Sequence, residues 1–338
     1  MTNLVLYLTI NNDKAKPAER RGRKAPGPRF LREATDDSPK DPRSPSCRIE
    51  TDGQYCSQFL NEEATQVKKL LFQSGVLVLL LALMSTGHAV PKHIQVKCDQ
   101  GDSIQDAVNS VDEDGAVIRV FGTCNEQVVI RKDRLRISGV NNPTILPSPG
   151  GTAFTVLGDH VEISDLNIIG GTSAVLVTQG SSATITNNRM LDYTGDGIFI
   201  AGSSSGSIQD NFLSSTIANR SAIFVVGAAN ALIDDNTIGA SSASGILISA
   251  ASSALVGCNN ISVSTPLFAG IFVGQLAHLS LGACANTISN SDPVGSAIFC
   301  SKSSSIFAEA AQIITAGAIN LHPDCEVFAI PGVTFPPP

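Results

Sequence analysis

Between Leu166 and Ile288 apolar and polar residues alternate in short runs, and one phrase keeps returning: an aliphatic residue, two spacers, Asn, one spacer, another aliphatic. It occurs as Ile185-Thr-Asn-Asn188-Arg-Met190, Ile208-Gln-Asp-Asn211-Phe-Leu213, Ile233-Asp-Asp-Asn236-Thr-Ile238, Val256-Gly-Cys-Asn259-Asn-Ile261 and, more loosely, Ala283-Cys-Ala-Asn286-Thr-Ile288. Ile163-Ser-Asp-Leu166-Asn-Ile168 is the same phrase with Leu in the Asn slot, and from Leu166 the steps are 22, 23, 25, 23 and 27 residues. A second phrase, begun by Ala174, Gly197, Ala222, Gly245, Gly270 and Ala297, drifts with the first. Self-similarity at roughly 20 to 50 residues marks a solenoid, whose units bury their apolar sides only by stacking. Alternating Ile, Val, Leu and Thr between Gly, Ser, Asn and Asp reads as strand, turn, strand. A coil of this length holds about three short strands, with rungs about 4.8 Å apart.

Two columns follow from this register. Asn188, Asn211, Asn236 and Asn259 fall at one corner, where Asn tolerates a left-handed turn and its amide can bond to the Asn one rung along. They are predicted to stack with their amides turned inward. In the Gly-Ile-Phe-Ile phrase, strand alternation sets Val175, Ile198, Ile223, Ile246, Ile271 and Ile298 against Leu176, Phe199, Phe224, Leu247, Phe272 and Phe299. The first set, supported by Ile200 on the same side, is predicted to fill the core. The Leu and Phe set then forms an outer stripe, to be covered by the C-terminal tail with Phe328 and Phe335 or by a second copy in a homo-oligomer.

The ends differ from the coils. Ser103-Ile-Gln-Asp106 opens like a capping box with Asp in the Glu position, and Ile104, Ala107, Val108 and Val111 share a helical face that would cover the first rung. Ala116 to Phe121 reads as the first strand, Val128 to Gly139 begins the coils, and Asp324 to Pro338, ending in three prolines, stops them. Residues 1–66 are rich in Arg, Lys, Pro, Asp and Ser, a composition that predicts disorder. Residues 67–89 have the layout of a secretory signal peptide: Lys68-Lys69, an uncharged stretch and Gly87-His-Ala89. A membrane anchor with 1–66 as a cytoplasmic tail is the weaker reading, and initiation at Val67 would make the upstream part an over-long gene.

Cleavage after Ala89 leaves 338 − 89 = 249 residues, 90–338, as one domain. Lys plus Arg falls by 13 to 10 and Asp plus Glu by 10 to 20, so the net charge becomes −10, which repels nucleic acid and anionic lipid. Arg131, Lys132, Arg134 and Arg136 sit together on an early coil, read as a solvated strand face. Six cysteines remain, and Cys98 to Cys124, Cys258 to Cys284 and Cys300 to Cys325 are separated by 26, 26 and 25 residues, each about one coil. Such spacing places each pair on adjacent rungs, within disulfide reach, and implies an oxidising compartment, secreted or periplasmic.

These phrases, with "IQDAV", "GAVIRVFGTCNEQVVI" and "RLRISG" between Ser103 and Gly139, resemble the right-handed parallel β-helix proteins of the pectate-lyase-like superfamily, over roughly Cys98 to Cys325. The resemblance implies an all-β, right-handed, single-stranded parallel β-helix with a short N-terminal capping helix. Function is open, because that superfamily holds lyases, hydrolases, epimerases, esterases and adhesins. Its enzymes use Asp or Glu on neighbouring rungs, for Ca²⁺ or acid/base work, with Arg or Lys as base. The paired Asp with Gly-His-Gly and Arg-x-Lys of polygalacturonase-type hydrolases is absent, as are the Asp-Pro-His-Asp of mannuronan epimerases and the Gln and Asp blocks of pectinesterases.

What remains is sparse. Asp165, Asn187, Asp210, Asp235 and Cys258 precede the Asn column, so Asp165, Asp210 and Asp235 are candidate Ca²⁺ ligands, with Asp234, Asp192 and Asp196 nearby; the alternative is that they fill turn positions. Arg189 and Arg220 are the only cations of the central coils, and Arg189 with Asp210 is the candidate catalytic pair, read otherwise as an ion pair. His160 and His278 are read as surface residues. The chain after Ala89 has no Trp, a single Tyr, Tyr193, and 11 Phe, a poor stock of the amphipathic rings that line sugar clefts. These features favour an exported protein with a structural or binding role, toward a polysaccharide or protein partner. A polysaccharide-active lyase or epimerase, Ca²⁺-dependent or not, is the alternative.

Overall fold

The computed structural model describes residues 92–329 other than 113, 114, 216, 218, 219, 242, 267, 310 and 311. The expected leader, signal segment, Val67 start and Phe335 lie outside the described residues. Three sheets run along the molecule. The first holds 11 strands, from His93–Lys97 to Glu326–Ala329; the second holds nine, from Thr123–Cys124 to Ile313–Ala316; the third holds nine, from Val128–Ile130 to Ala318–Leu321. One coil consists of Ser182–Thr186 in the first sheet, Arg189–Leu191 in the second and Ile198–Ala201 in the third, and Ser205–Gln209 opens the next. Every strand pairs in parallel with its counterpart one coil away, so Ile185 faces Ile208, which faces Ile233, which faces Val256.

The predicted parity holds on all six rungs. Val175, Ile198, Ile223, Ile246, Ile271 and Ile298 are fully buried, while Leu176, Phe199, Phe224, Leu247, Phe272 and Phe299 stand in register on the outer side of the third sheet, half-buried. β-branched residues suit such a coil because their restricted rotamers cost little in an extended backbone and pack against the rung above.

The Asn column is a buried ladder. The Oδ1 of Asn211 accepts from the backbone N–H of Asn188 at 3.0 Å and from its Nδ2 at 3.1 Å, and Asn236, Asn259 and Asn286 repeat the arrangement. Each Nδ2 also reaches a carbonyl of the preceding coil, as Asn188 reaches Ile163 at 2.9 Å. The ladder starts at the N–H of Leu166 and ends on Gln312, whose Oε1 takes the two donors of Asn286. The expectation about conformation is corrected. The left-handed residue is the one before each position of the column, Leu166 included: Asp165, Asn187, Asp210, Asp235 and Cys258 have φ of 61°, 55°, 54°, 53° and 54°. The turn asks one residue for left-handed backbone and the next for an inward amide.

The capping helix spans Ile104–Asn109 and buries Ile104, Ala107 and Val108. The Ser103 hydroxyl accepts from the Asp106 N–H at 3.2 Å, as the capping box requires. The acidic partner is Glu126, one coil on, whose carboxylate accepts from the N–H groups of Ile104 and Gln105 and from the Ser103 hydroxyl. The first sheet begins one strand earlier than expected, since His93–Lys97 pairs with Val117–Phe121. At the other end it continues past Asp324, because Glu326–Ala329 still adds a rung. All three disulfides form between adjacent coils, with Cα–Cα distances of 5.0, 5.0 and 6.0 Å.

Candidate functional site

The corner between the first and second sheets is tight: only residues 187 and 188 separate Ser182–Thr186 from Arg189–Leu191. Its tightness throws the outward side chains of four successive coils into one shallow depression of about 450 Å³. Asn142, Asn167 and Asn187 supply amides, Asp165 and Asp210 carboxylates, and Arg189 and Phe212 the far wall. Arg189 and Phe212 are direct partners in the second sheet, and this register sets the guanidinium carbon 5.5 Å from the Phe212 ring centroid. Phe212 keeps 36% of its surface exposed. Among the described residues no carboxylate comes within ion-pair distance of Arg189. The candidate pair therefore shares a site, but Arg189 is engaged by an aromatic face, where the sequence suggested an ion pair with Asp210.

The candidate metal ligands divide. Both oxygens of Asp165 are in use: Oδ1 accepts from Asn187 Nδ2 at 2.6 Å and Oδ2 from Ser138 at 3.1 Å. Asp210, Asp234 and Asp235 lie close to one another, and burial, then Asp235 and Asp210, raise the Asp234 carboxyl above its ordinary value. Cys258, beside Asp234 and Asp235, is tied to Cys284 and offers no thiolate. Asp192 and Asp196 do not join this group, since they fall on the corner between the second and third sheets. His160 and His278 are exposed, with His278 Nδ1 2.8 Å from Ser305 Oγ. Of the early basic cluster, Arg136 pairs with Glu162 at 2.9 Å.

The outer stripe partly covers itself. Phe199 and Phe224 stack with centroids 5.1 Å apart and planes 8° from parallel, and Phe272 and Phe299 do the same at 4.9 Å and 18°. Rings stacked between rungs turn their faces to each other and only their edges outward. Phe328 does not cover them, because it pairs with Phe307 in the first sheet and is 54% exposed.

Residues 152–317 match the family described as the right handed beta helix region. No curated protein matches the chain. Among solved structures it is similar to an alginate lyase from Paenibacillus sp. str. FPU-7, at 13% identity and a TM-score of 0.42 over 70% of this chain and 99% of that one. ORF18 of Geobacillus virus E2 gives 11% and 0.42 over 70% and 59%, and the catalytic domain of a GH87 alpha-1,3-glucanase in complex with nigerose gives 11% and 0.32 over 72% and 69%. Likenesses this distant say nothing about the chemistry of Arg189 or Asp210. The family's own match and the three parallel sheets around it agree that the protein is a right-handed parallel β-helix repeat protein.

Proposed function

We propose that this protein is an exported β-helix that binds a carbohydrate chain in the depression around Arg189 and leaves it unaltered. The observation that carries the reading is the guanidinium of Arg189, laid over Phe212 and outside ion-pair distance of any carboxylate among the described residues, in a depression that three Asn side chains also line. An amide nitrogen has two hydrogens, so Asn167 and Asn187, which each donate one, to Thr144 and Asp165, keep a second for a sugar hydroxyl. An Arg held on a ring is also pre-organised, so less freedom is lost when it bonds a ligand. The acidic surface disfavours a polyanion, so a neutral or sparsely charged glycan fits best. Three disulfides support folding in an oxidising compartment. A glycan array with and without Ca²⁺ tests the reading: binding that Arg189→Ala abolishes is expected, and an array with no ligand sinks it.

The second reading, a polysaccharide lyase or epimerase, draws on the fact that Arg189 and Asp210 line one depression. In that case Asp210, Asp234 and Asp235 are the carboxylates for Ca²⁺, although a hard cation asks for six to eight oxygens. Product analysis on the array hits separates the two readings. A homotypic contact through the Phe and Leu stripe is a further possibility for the binding role. Six half-buried side chains leave on the order of 400 Å², about half of what a stable interface takes from each partner, so such a contact is transient.

A further inference from the structure

The corner between the second and third sheets holds a feature separate from the Arg189 depression. Asp196 is buried, its side chain 3% exposed, yet it lines an open depression of about 480 Å³. This volume lies in the range of small-ligand sites. One carboxylate oxygen, Oδ1, accepts from the Ser221 N–H at 3.0 Å. The other, Oδ2, has Arg220 Nη1 at 3.6 Å, well beyond the 2.7 to 2.9 Å of a good charge-assisted hydrogen bond. Arg220 itself is 59% exposed and reaches the carboxylate from the rim. A buried charge met so loosely is costly, since burial is repaid only by close partners. Burial accordingly pushes the carboxyl above its ordinary range, against the pull of Ser221 and Arg220. Beside it the Tyr193 hydroxyl is buried with no hydrogen-bond partner among the described residues.

The rest of the lining identifies what would satisfy that carboxylate. Hydroxyls come from Thr152, Thr172, Ser173 and Thr194, and an apolar wall from Leu176 and Phe199 of the outer stripe. A planar guanidinium binds carboxylate best through two parallel bonds, and here one oxygen is already taken by the backbone. An ammonium is a compact charge with three donors, able to use one carboxylate oxygen and two hydroxyls at once. Hydrocarbon next to the charge would lie on Leu176 and Phe199. The net charge of −7 adds a long-range attraction for cations.

We propose that the depression floored by Asp196 is a binding site for a primary ammonium group, and that Arg220 occupies from the rim the position that the ligand's cation would take. An amino sugar and a lysine side chain present this group equally. The full chain is titrated by calorimetry with glucosamine, with N-acetylglucosamine and with Nα-acetyl-lysine methylamide. At least one of the two amines should bind saturably, and N-acetylglucosamine should not. Binding of glucosamine alone assigns an amino sugar, of the lysine derivative alone a polypeptide, and of both the ammonium itself. Arg220→Ala should tighten the interaction severalfold by removing the internal competitor. Asp196→Asn, which keeps an acceptor for the Ser221 N–H, should weaken it at least about tenfold. The proposal is overturned if neither amine binds to wild type or to Arg220→Ala, if N-acetylglucosamine binds as well as glucosamine, or if Asp196→Asn leaves affinity unchanged. None of these outcomes depends on Arg189.

Discussion

Asn211 shows how much one side chain carries in this coil. Its amide nitrogen reaches the carbonyls of Ile185 and Gln209, and its Oδ1 takes two donors from Asn188. Asn211→Ala strands those groups inside the wall, and each buried unsatisfied group costs about 1 to 3 kcal/mol. A fall of that order in unfolding free energy by urea titration is expected; an unchanged midpoint would show that water serves the ladder as well as the amide does. Asp196 makes the opposite case. Its carboxyl is raised by burial, so the folded state holds the proton more tightly than the unfolded one. Such a group adds stability below the unfolded value near 3.8 and takes it away as pH rises through the folded one. The melting temperature of Asp196→Asn should therefore gain on wild type from pH 3 toward neutrality. A difference that widens toward acid contradicts this sign. The Asn column was legible because Asn recurs at fixed spacing. The division of labour with the preceding residue was not, since Asn187 and Asn188 look alike in sequence and only the backbone tells which bends.

At the scale of elements, the coil is held by features of one-rung reach, and these the spacing reveals. Cysteines 26, 26 and 25 residues apart sit one rung apart because a coil is that long. Opening Cys258–Cys284 by a double Ser substitution should cost roughly 3 kcal/mol in the chain-entropy treatment, read as a lower denaturation midpoint. No change would mean that the stacked rungs already hold these segments in place in the unfolded chain. The capping helix was legible as an element, through Ser103 and the face of Ile104, Ala107 and Val108. Its acidic cap was misplaced, because Glu126 is brought to Ile104 by the turn of the coil and lies 22 residues away. Glu126→Gln should lose the charge at the helix start and set an NH2 group against a backbone N–H that the carboxylate now satisfies, at about 1 to 3 kcal/mol, read as a lower urea midpoint. The stripe was placed on the correct side by strand parity, yet its stacking between rungs was not foreseen. Sequence shows that Phe199 and Phe224 are neighbours; it does not show that their faces are spent on each other.

For the whole molecule, a half-spent stripe and a net charge of −7 both work against self-association. Sedimentation at micromolar concentration should give a monomer, with weak association only at high salt, where like charges are screened. A salt-independent dimer would show that the stripe is an interface of larger reach than its exposed edges suggest. The central claim concerns the Arg189 depression. The sequence singled out Arg189 and Asp210 but not Phe212, Asn142 or Asn167, because Phe212 meets Arg189 only through the register of the second sheet, and the two Asn come from earlier coils that gather at the tight corner. The most direct test is calorimetric titration of the best array glycan into wild type, Arg189→Ala and Phe212→Ala, with the glycan recovered afterwards and weighed by mass spectrometry. Saturable binding, weakened about tenfold or more in both variants, with the glycan recovered intact, is the predicted result. Shortened or unsaturated products, or binding indifferent to Arg189, would contradict it.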